Sequence, residues 1–278
     1  MPTATCHVCP HLCRLAEGEL GRCRARRAWQ GRVVDDNYGR VTSLALDPVE
    51  KKPLARFMRG SKVLSVGSYG CNLDCGFCQN ASIACAGAND VPWREVTPDE
   101  LVQAALRATA RGNVGLAFTY NEPLVGFEYV RDCSLLAHEA GLVNVLVSNG
   151  MANPGPIAEL LPLIDAANID LKGFTQAFYD MVEGDLDCVK ATIEAFARTP
   201  TCHLEVTTLV IPGLNDDPRQ VAEAARWLAS LDGGIVYHLT RFFPCHRFAA
   251  AEPTPAEDVR RLADVAREHL AHVVVGNC

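Results

Sequence analysis

The stretch Cys71-Asn72-Leu73-Asp74-Cys75-Gly76-Phe77-Cys78 places three cysteines at C-x3-C-x2-C spacing, directly after an apolar run at 62–68 (KVLSVGS) that reads as a strand. Three thiolates on one loop can hold three irons of a cubane 4Fe-4S cluster and leave the fourth without a protein ligand. An iron left open in this way can bind and reduce a small molecule. A zinc knuckle would want a fourth ligand nearby, and no His lies on this loop, so the cysteines read as cluster ligands.

Outward from that loop, short apolar runs alternate with helix-like segments, the pattern of parallel βα units. After 62–68 the runs are 113–119, 142–148, 165–171, 203–210 and 235–240, with a short final run at 272–275. Six full strands with helices between them predict an α/β fold, a partial TIM-like (β/α)6 barrel that stays open. Thr97-Pro98-Asp99-Glu100 and Thr254-Pro255-Ala256-Glu257 each predict a helix start with Thr as N-cap, and Asp217-Pro218 and Asn153-Pro154 repeat the cap-then-proline device. These starts fix where the loops are. In parallel α/β architectures the chemistry gathers on the loops after the strand C-termini.

The first 60 residues differ in kind. Cys6, Cys9, Cys13 and Cys23 form a second cluster at C-x2-C-x3-C-x9-C spacing, followed by 31–34 and 40–46 around an Asp-Asp-Asn-Tyr-Gly turn. This predicts a small Cys-rich metal-binding knot plus a β-hairpin over 1–60, ahead of a catalytic core over 61–278. Four soft ligands in 18 residues suit either a closed zinc site or an auxiliary iron-sulfur cluster, and their spacing does not separate the two.

Composition sets the outer bounds. With 278 residues, 49% hydrophobic and 21% charged, the chain is neither a disulfide mini-protein nor a disordered one. Its 13 cysteines include six outside the two clusters. Of these, Cys85, Cys133, Cys188 and Cys202 read as packing residues, and Cys245 reads the same way despite lying beside His246 near the expected site mouth. No apolar run is long enough for a membrane span and no targeting segment opens the sequence, which predicts a soluble, cytoplasmic protein with no membrane partner. The net charge of -7 makes nucleic acid an unlikely partner. Residues 1–60 nonetheless carry 11 Lys and Arg against 6 Asp and Glu, a net of +5, while the remainder carries 15 against 27, a net of -12. Arg22, Arg24, Arg26 and Arg27 beside Cys23 read as an ordinary solvated surface.

The cysteine motif, C-x3-C-x-aromatic-C at the end of a first strand, resembles the signature of the radical S-adenosylmethionine (SAM) superfamily. The resemblance implies a 4Fe-4S cluster on Cys71, Cys75 and Cys78, with SAM chelated at the open iron and cleaved to a 5'-deoxyadenosyl radical that abstracts a hydrogen atom from an unknown substrate. Tyr120-Asn121-Glu122-Pro123 is similar to the Gly-Gly-Glu-Pro motif that meets the SAM amino group, with both glycines replaced. Ser148-Asn149-Gly150 resembles the Thr-Asn-Gly turn of glycyl radical activating enzymes, and Asp170-Leu171-Lys172 their Asp-Leu-Lys motif, where Lys meets the SAM carboxylate. Ile211-Pro212-Gly213-Leu214-Asn215-Asp216 matches a run bordering adenine. Asn80 joins this implied cofactor set. His238 and His246 compete for a SAM-binding role, with His238 favoured.

From Cys6 to about Asn277 the motifs look more narrowly like the AmmeMemoRadiSam-system radical SAM enzymes, relatives of pyruvate formate-lyase activating enzyme encoded with Memo-like and AMMECR-type proteins. That likeness rests on Cys6-His7-Val8-Cys9-Pro10-His11-Leu12-Cys13, Gly18-Glu19-Leu20-Gly21-Arg22-Cys23, residues 46–54 and Thr240-Arg241-Phe242. It implies an electron donor such as flavodoxin or ferredoxin and a substrate that is a protein or a small molecule. Family members usually continue past a Gly-Asn pair with a further Cys pair, whereas this sequence ends at Cys278. Two rival readings remain: a glycyl radical activase, and a zinc-stabilised module that binds RNA or protein.

Overall fold

The structure is a computed structural model that describes residues 3–278. Its main sheet has eight strands: β1 (Ser43–Pro48), β2 (Lys62–Gly67), β3 (Asn113–Phe118), β4 (Val143–Ser148), β5 (Ala166–Asp170), β6 (His203–Val210), β7 (Val236–Arg241) and β8 (His272–Gly276). Spatial order follows chain order from β1 to β8. Strands β2 to β8 are all parallel, and β1 runs antiparallel to β2, with Ser43 opposite Gly67 and Pro48 opposite Lys62. The two edge strands do not pair with each other, so the barrel is open. The Val- and Leu-rich strands are covered on the outside by helices, and their side chains carry little exposed surface.

The longer helices are α1 (Pro98–Arg107), α2 (Phe127–Glu139), α3 (Pro154–Leu160), α4 (Leu186–Ala197), α5 (Pro218–Leu231) and α6 (Ala256–Arg267). Thr97 and Glu100 form the full capping box expected for α1, and the Asp217 side chain caps α5. Two caps differ. The Thr254 hydroxyl donates to the Val210 carbonyl at 2.6 Å and leaves α6 capped only by Pro255. The Asn153 side chain donates to the His7 carbonyl instead of capping α3, and its backbone N–H donates to Val8, so the start of α3 anchors the N-terminal segment.

The N-terminal pairing also differs from expectation. Arg32–Asp35 forms its hairpin with the preceding Arg26–Trp29, not with the 40–46 run. Arg40–Val41 pairs with Arg94–Glu95, and Ser43–Pro48 becomes the edge strand of the main sheet. The alternation in 40–46 marks a strand without naming its partner. The final run, expected as short, is a full parallel strand, so the barrel has seven parallel strands instead of six. Arg26 is buried, with its guanidinium on Glu128 at 2.5 and 2.7 Å, and Arg27 pairs with Asp36, so neither is simply solvated. No helix among the described residues is long and apolar enough to cross a membrane.

Because β1 is antiparallel, the segment between it and β2 lies at the N-terminal ends of the parallel strands and floors the barrel. Glu205, buried on β6, holds that floor. Its carboxylate accepts the Ala55 and Arg56 amides at 2.9 Å each and faces His203 at 2.8 Å and His238 at 2.5 Å. Burial alone would raise its pKa, but the two histidines and two amides outweigh burial and hold it at about 2. A carboxyl whose folded pKa lies below its unfolded value stabilises the fold above the unfolded value, and that stability is lost as pH falls. Glu205→Gln should therefore cost about 3 kcal/mol at neutral pH, with the deficit shrinking between about pH 4.5 and 2. Denaturant melts across pH check this; a deficit that does not change with pH would contradict it.

Candidate active site

The C-terminal ends of the strands open into one cavity of ≈ 770 Å³, within the range of small-molecule and cofactor sites. Cys71, Cys75 and Cys78 all line it, on the loop after β2. That loop is tied on several sides. Asn72 donates to the Met151 carbonyl at 2.6 Å, Asn149 Nδ2 donates to Asn72 Oδ1 at 2.9 Å, and the same amide lies 3.6 Å from Cys71 Sγ. The Leu73 amide also points to Cys71 Sγ at 3.4 Å. Phe77 packs between Phe178 and Phe248, and Arg247 holds Asp74 at 2.9 Å.

Burial pushes all three thiols up, Cys75 to about 12 and Cys71 well beyond the usual range. They carry negative charge only when a metal takes it up. Among the described residues no three His, Cys, Asp or Glu side chains are gathered closely enough for a single ion. Three sulfur donors lining one cavity would hold three irons of a polynuclear cluster.

Beside the loop, Glu122 is buried just beyond β3, with its amide on the Gly70 carbonyl, and its carboxylate accepts three hydrogen bonds, from Ser148 Oγ at 2.7 Å, Asn149 N at 2.8 Å and Leu124 N at 2.9 Å. Burial outweighs these bonds and raises its pKa to about 7, so the carboxyl is poised to gain from a cation brought into the cavity. After β5, Lys172 Nζ lies 2.6 Å from Asp170 Oδ2. Burial opposes the ammonium, but Asp170 outweighs it and holds Lys172 above its usual range.

Of the other expected site residues, Asn80, Asn121, Ser148, Asn149 and His238 line the cavity, while Ile211 and His246 do not. Ile211 is buried, with its amide on Asn215 Oδ1, and His246 is exposed at φ 49°. Asn121 uses its side chain on the cluster loop, accepting from Ser68 N and donating to the Tyr69 and Gly70 carbonyls. Cys245 does not line the cavity; its thiol donates to the Phe77 carbonyl at 3.2 Å. Cys133, Cys188 and Cys202 pack in the core or against it.

Sequence reasoning missed two features. Tyr120 sits at φ 73°, a conformation that favours glycine, where the related motif has one. Its ring lines the cavity, its hydroxyl donates to Asp47 at 2.6 Å, and Lys52 Nζ lies 4.6 Å from its ring centroid and 2.9 Å from Asp47. The second is Glu205. Its signal was present: His203, Glu205 and Thr207 alternate on the inward face of a strand otherwise built for burial.

The profile of the Radical SAM superfamily matches residues 65–226, which span the cluster loop and the Glu122, Ser148 and Lys172 positions. The chain belongs to the radical SAM superfamily. It is 35% identical over 274 residues to an uncharacterized protein of Methanocaldococcus jannaschii, covering 98% of this chain and 80% of that one. Among solved structures, Streptococcus suis SuiB matches 76% of this radical SAM chain and 48% of its own, with a TM-score of 0.60 and 12% identity. A radical SAM methyltransferase from Sphaerobacter thermophilus matches 79% and 67%, with a TM-score of 0.59 and 18% identity. A domain of pyruvate-formate lyase-activating enzyme from Bacteroides vulgatus matches 59% and 99%, with a TM-score of 0.50 and 18% identity. These structural likenesses are of fold.

The loop's rigidity has a backbone origin. Gly70, at φ 89°, lies against the Cys23 carbonyl and 2.9 Å, measured from an added Cβ, from Ala25 Cβ. Gly70→Ala should lower the unfolding free energy by about 2 kcal/mol or more. Chemical denaturation measures it; a change under about 0.5 kcal/mol would show that the approach is not constraining.

Proposed function

We propose that this chain is a radical SAM enzyme of the AmmeMemoRadiSam type, acting on a substrate that enters the barrel cavity. The observation that carries this reading is the convergence of Cys71, Cys75 and Cys78 with Glu122, Lys172 and His238 on one cavity at the strand C-termini. When bound, a 4Fe-4S cluster and SAM supply reductive cleavage to a 5'-deoxyadenosyl radical that takes a hydrogen atom from the substrate.

The chain's own residues do the rest. The three thiolates hold the cluster, and the amides of Leu73 and Asn149 are directed at Cys71 Sγ, where they favour the charged sulfur. Glu122, fixed by Ser148 and the Asn149 amide, takes up the SAM ammonium, and Lys172, steadied by Asp170, takes its carboxylate. Asn80, on the last turn of the cluster loop, and Asn121, bracing that loop from behind, complete the cofactor side. His238 faces the cavity from the deeper β7 wall, with Glu205 fixing its orientation. The floor at 49–61 closes the cavity at the N-terminal end of the barrel and limits water around the radical.

A low-potential donor such as flavodoxin or ferredoxin would supply the electron, and Memo-like and AMMECR-type proteins are the partners this reading implies. Anaerobic reconstitution with iron and sulfide, followed by dithionite and SAM, should yield 5'-deoxyadenosine, and Cys75→Ala should abolish it. An iron-loaded, reducible protein that makes none would overturn the reading. Glu122→Gln should weaken SAM binding about tenfold or more, as expected for loss of a charge-assisted contact. Equilibrium binding checks this on iron-loaded protein; unchanged affinity would remove Glu122 from the SAM site.

A further inference from the structure

The residues assigned to the cluster and to SAM's charged groups come from the ends of β2 to β5. The rest of the same cavity is walled by β6, β7 and β8 and floored by 49–61, through Thr207, His238, Thr240, Asn277 and the floor residues Lys51 and Arg59. Strand order separates the two sides, since β6 lies between β5 and β7. The hydrogen bonds that hold the Glu122 carboxylate and the Lys172 ammonium involve none of these side chains.

His238 is the buried polar group of this second side. It is 4% exposed, and its ring is held at one nitrogen. Nε2 lies 2.5 Å from Glu205 Oε2, and because Glu205 is ionised, with its pKa at about 2, Nε2 must carry the hydrogen between them. Nδ1 has no hydrogen-bond partner among the described residues. Thr207, opposite His238 on β6, gives its hydroxyl hydrogen to Asn168 Oδ1 at 2.9 Å instead. A buried ring nitrogen without a partner is costly unless something in the cavity meets it.

The charges on this side favour an anion. Lys51 and Arg59 are exposed, line the cavity and form no ion pair among the described residues. The floor segment has one carboxylate, Glu50, whose pKa the Gly60 amide and the Arg59 charge hold below the usual range. Two free cations against that carboxylate leave the cavity's floor net positive. With Nε2–H given to an ionised carboxylate, an imidazole can add a proton at Nδ1 and donate it to an anion, and the carboxylate balances the resulting charge.

We propose that the β6 to β8 side of the cavity is the substrate subsite and takes a small carboxylate or phosphate anion, with His238 Nδ1 donating to it and Lys51 and Arg59 supplying charge. This deepens the radical SAM reading, on which the assignment of the other side to SAM rests. Isothermal titration calorimetry tests it, with inorganic phosphate and malonate as probes and iron-loaded protein saturated with SAM, so that Lys172 is already occupied. Wild type should bind at least one probe at a single site. His238→Gln keeps a donor where Nε2 meets Glu205 and removes Nδ1; it should weaken that binding about tenfold or more, with SAM affinity and the denaturant midpoint unchanged. His238→Asn, whose amide stands at the Nδ1 position, should recover part of the loss. Lys51→Ala/Arg59→Ala, which changes two exposed side chains, should weaken binding by a similar factor. No binding of either probe by wild type, or unchanged anion affinity in folded His238→Gln, would overturn the proposal. A parallel loss of SAM affinity in His238→Gln would return His238 to the cofactor and overturn it as well. Should His238→Gln fail to fold, the double floor variant decides: unchanged anion affinity there overturns it. Iron-loaded protein that fails to bind SAM yet binds a probe with the same dependence on His238 would sink the SAM reading and leave this one standing.

Discussion

Three half-buried thiols on one short loop impose the constraint around which the rest of the molecule is arranged. Each is pushed away from ionisation by burial, so the thiols are charged only with a metal bound, and the loop must hold its shape before that happens. The holding is done by neutral amides. Asn72, Asn121 and Asn149 reach between the loop, the start of β3's outgoing turn and the end of β4. Neutral donors suit this task because they orient the sulfurs without competing for the charge that the metal brings.

The same economy places the charged groups. Glu122 and Lys172 stand beyond the ends of β3 and β5, with β4 between them, and have opposite sign and opposite tendency: burial leaves the carboxyl half inclined to neutrality, while Asp170 keeps the ammonium charged. A zwitterion arriving between them finds one group that gains from its ammonium and one already fixed for its carboxylate. Tyr120 shows what this arrangement costs the backbone. A bulky residue at φ 73° is strained, and its ring and hydroxyl are held by Lys52 and Asp47, which reach it from the N-terminal end of the barrel.

Much of this was legible in the sequence because local signals carry it. The seven parallel strands lie within a residue or two of the apolar runs, and the thiols, Glu122, Asp170 and Lys172 fall at strand ends where parallel α/β chemistry gathers. What was not legible depends on contacts distant in sequence. Strand alternation in 40–46 cannot say that the partner is β2 and not the preceding hairpin. Asn72 and Asn149 look like ordinary loop residues until the fold brings their amides together across 77 positions. His238 is favoured over His246 by resemblance alone; the pleat of β7 turns His238 into the cavity, while His246 sits on an exposed turn.

On the proposed reading, Cys71, Cys75 and Cys78 would leave one iron free for SAM beside Glu122 and Lys172. Electron-nuclear double resonance on the reduced triple-thiolate cluster, with SAM isotopically labelled in its amino and carboxylate groups, tests it most directly. Hyperfine coupling from both labels, with the carboxylate coupling altered in Lys172→Ala, is the predicted result. A reduced cluster whose spectrum shows no coupling to either label would contradict it.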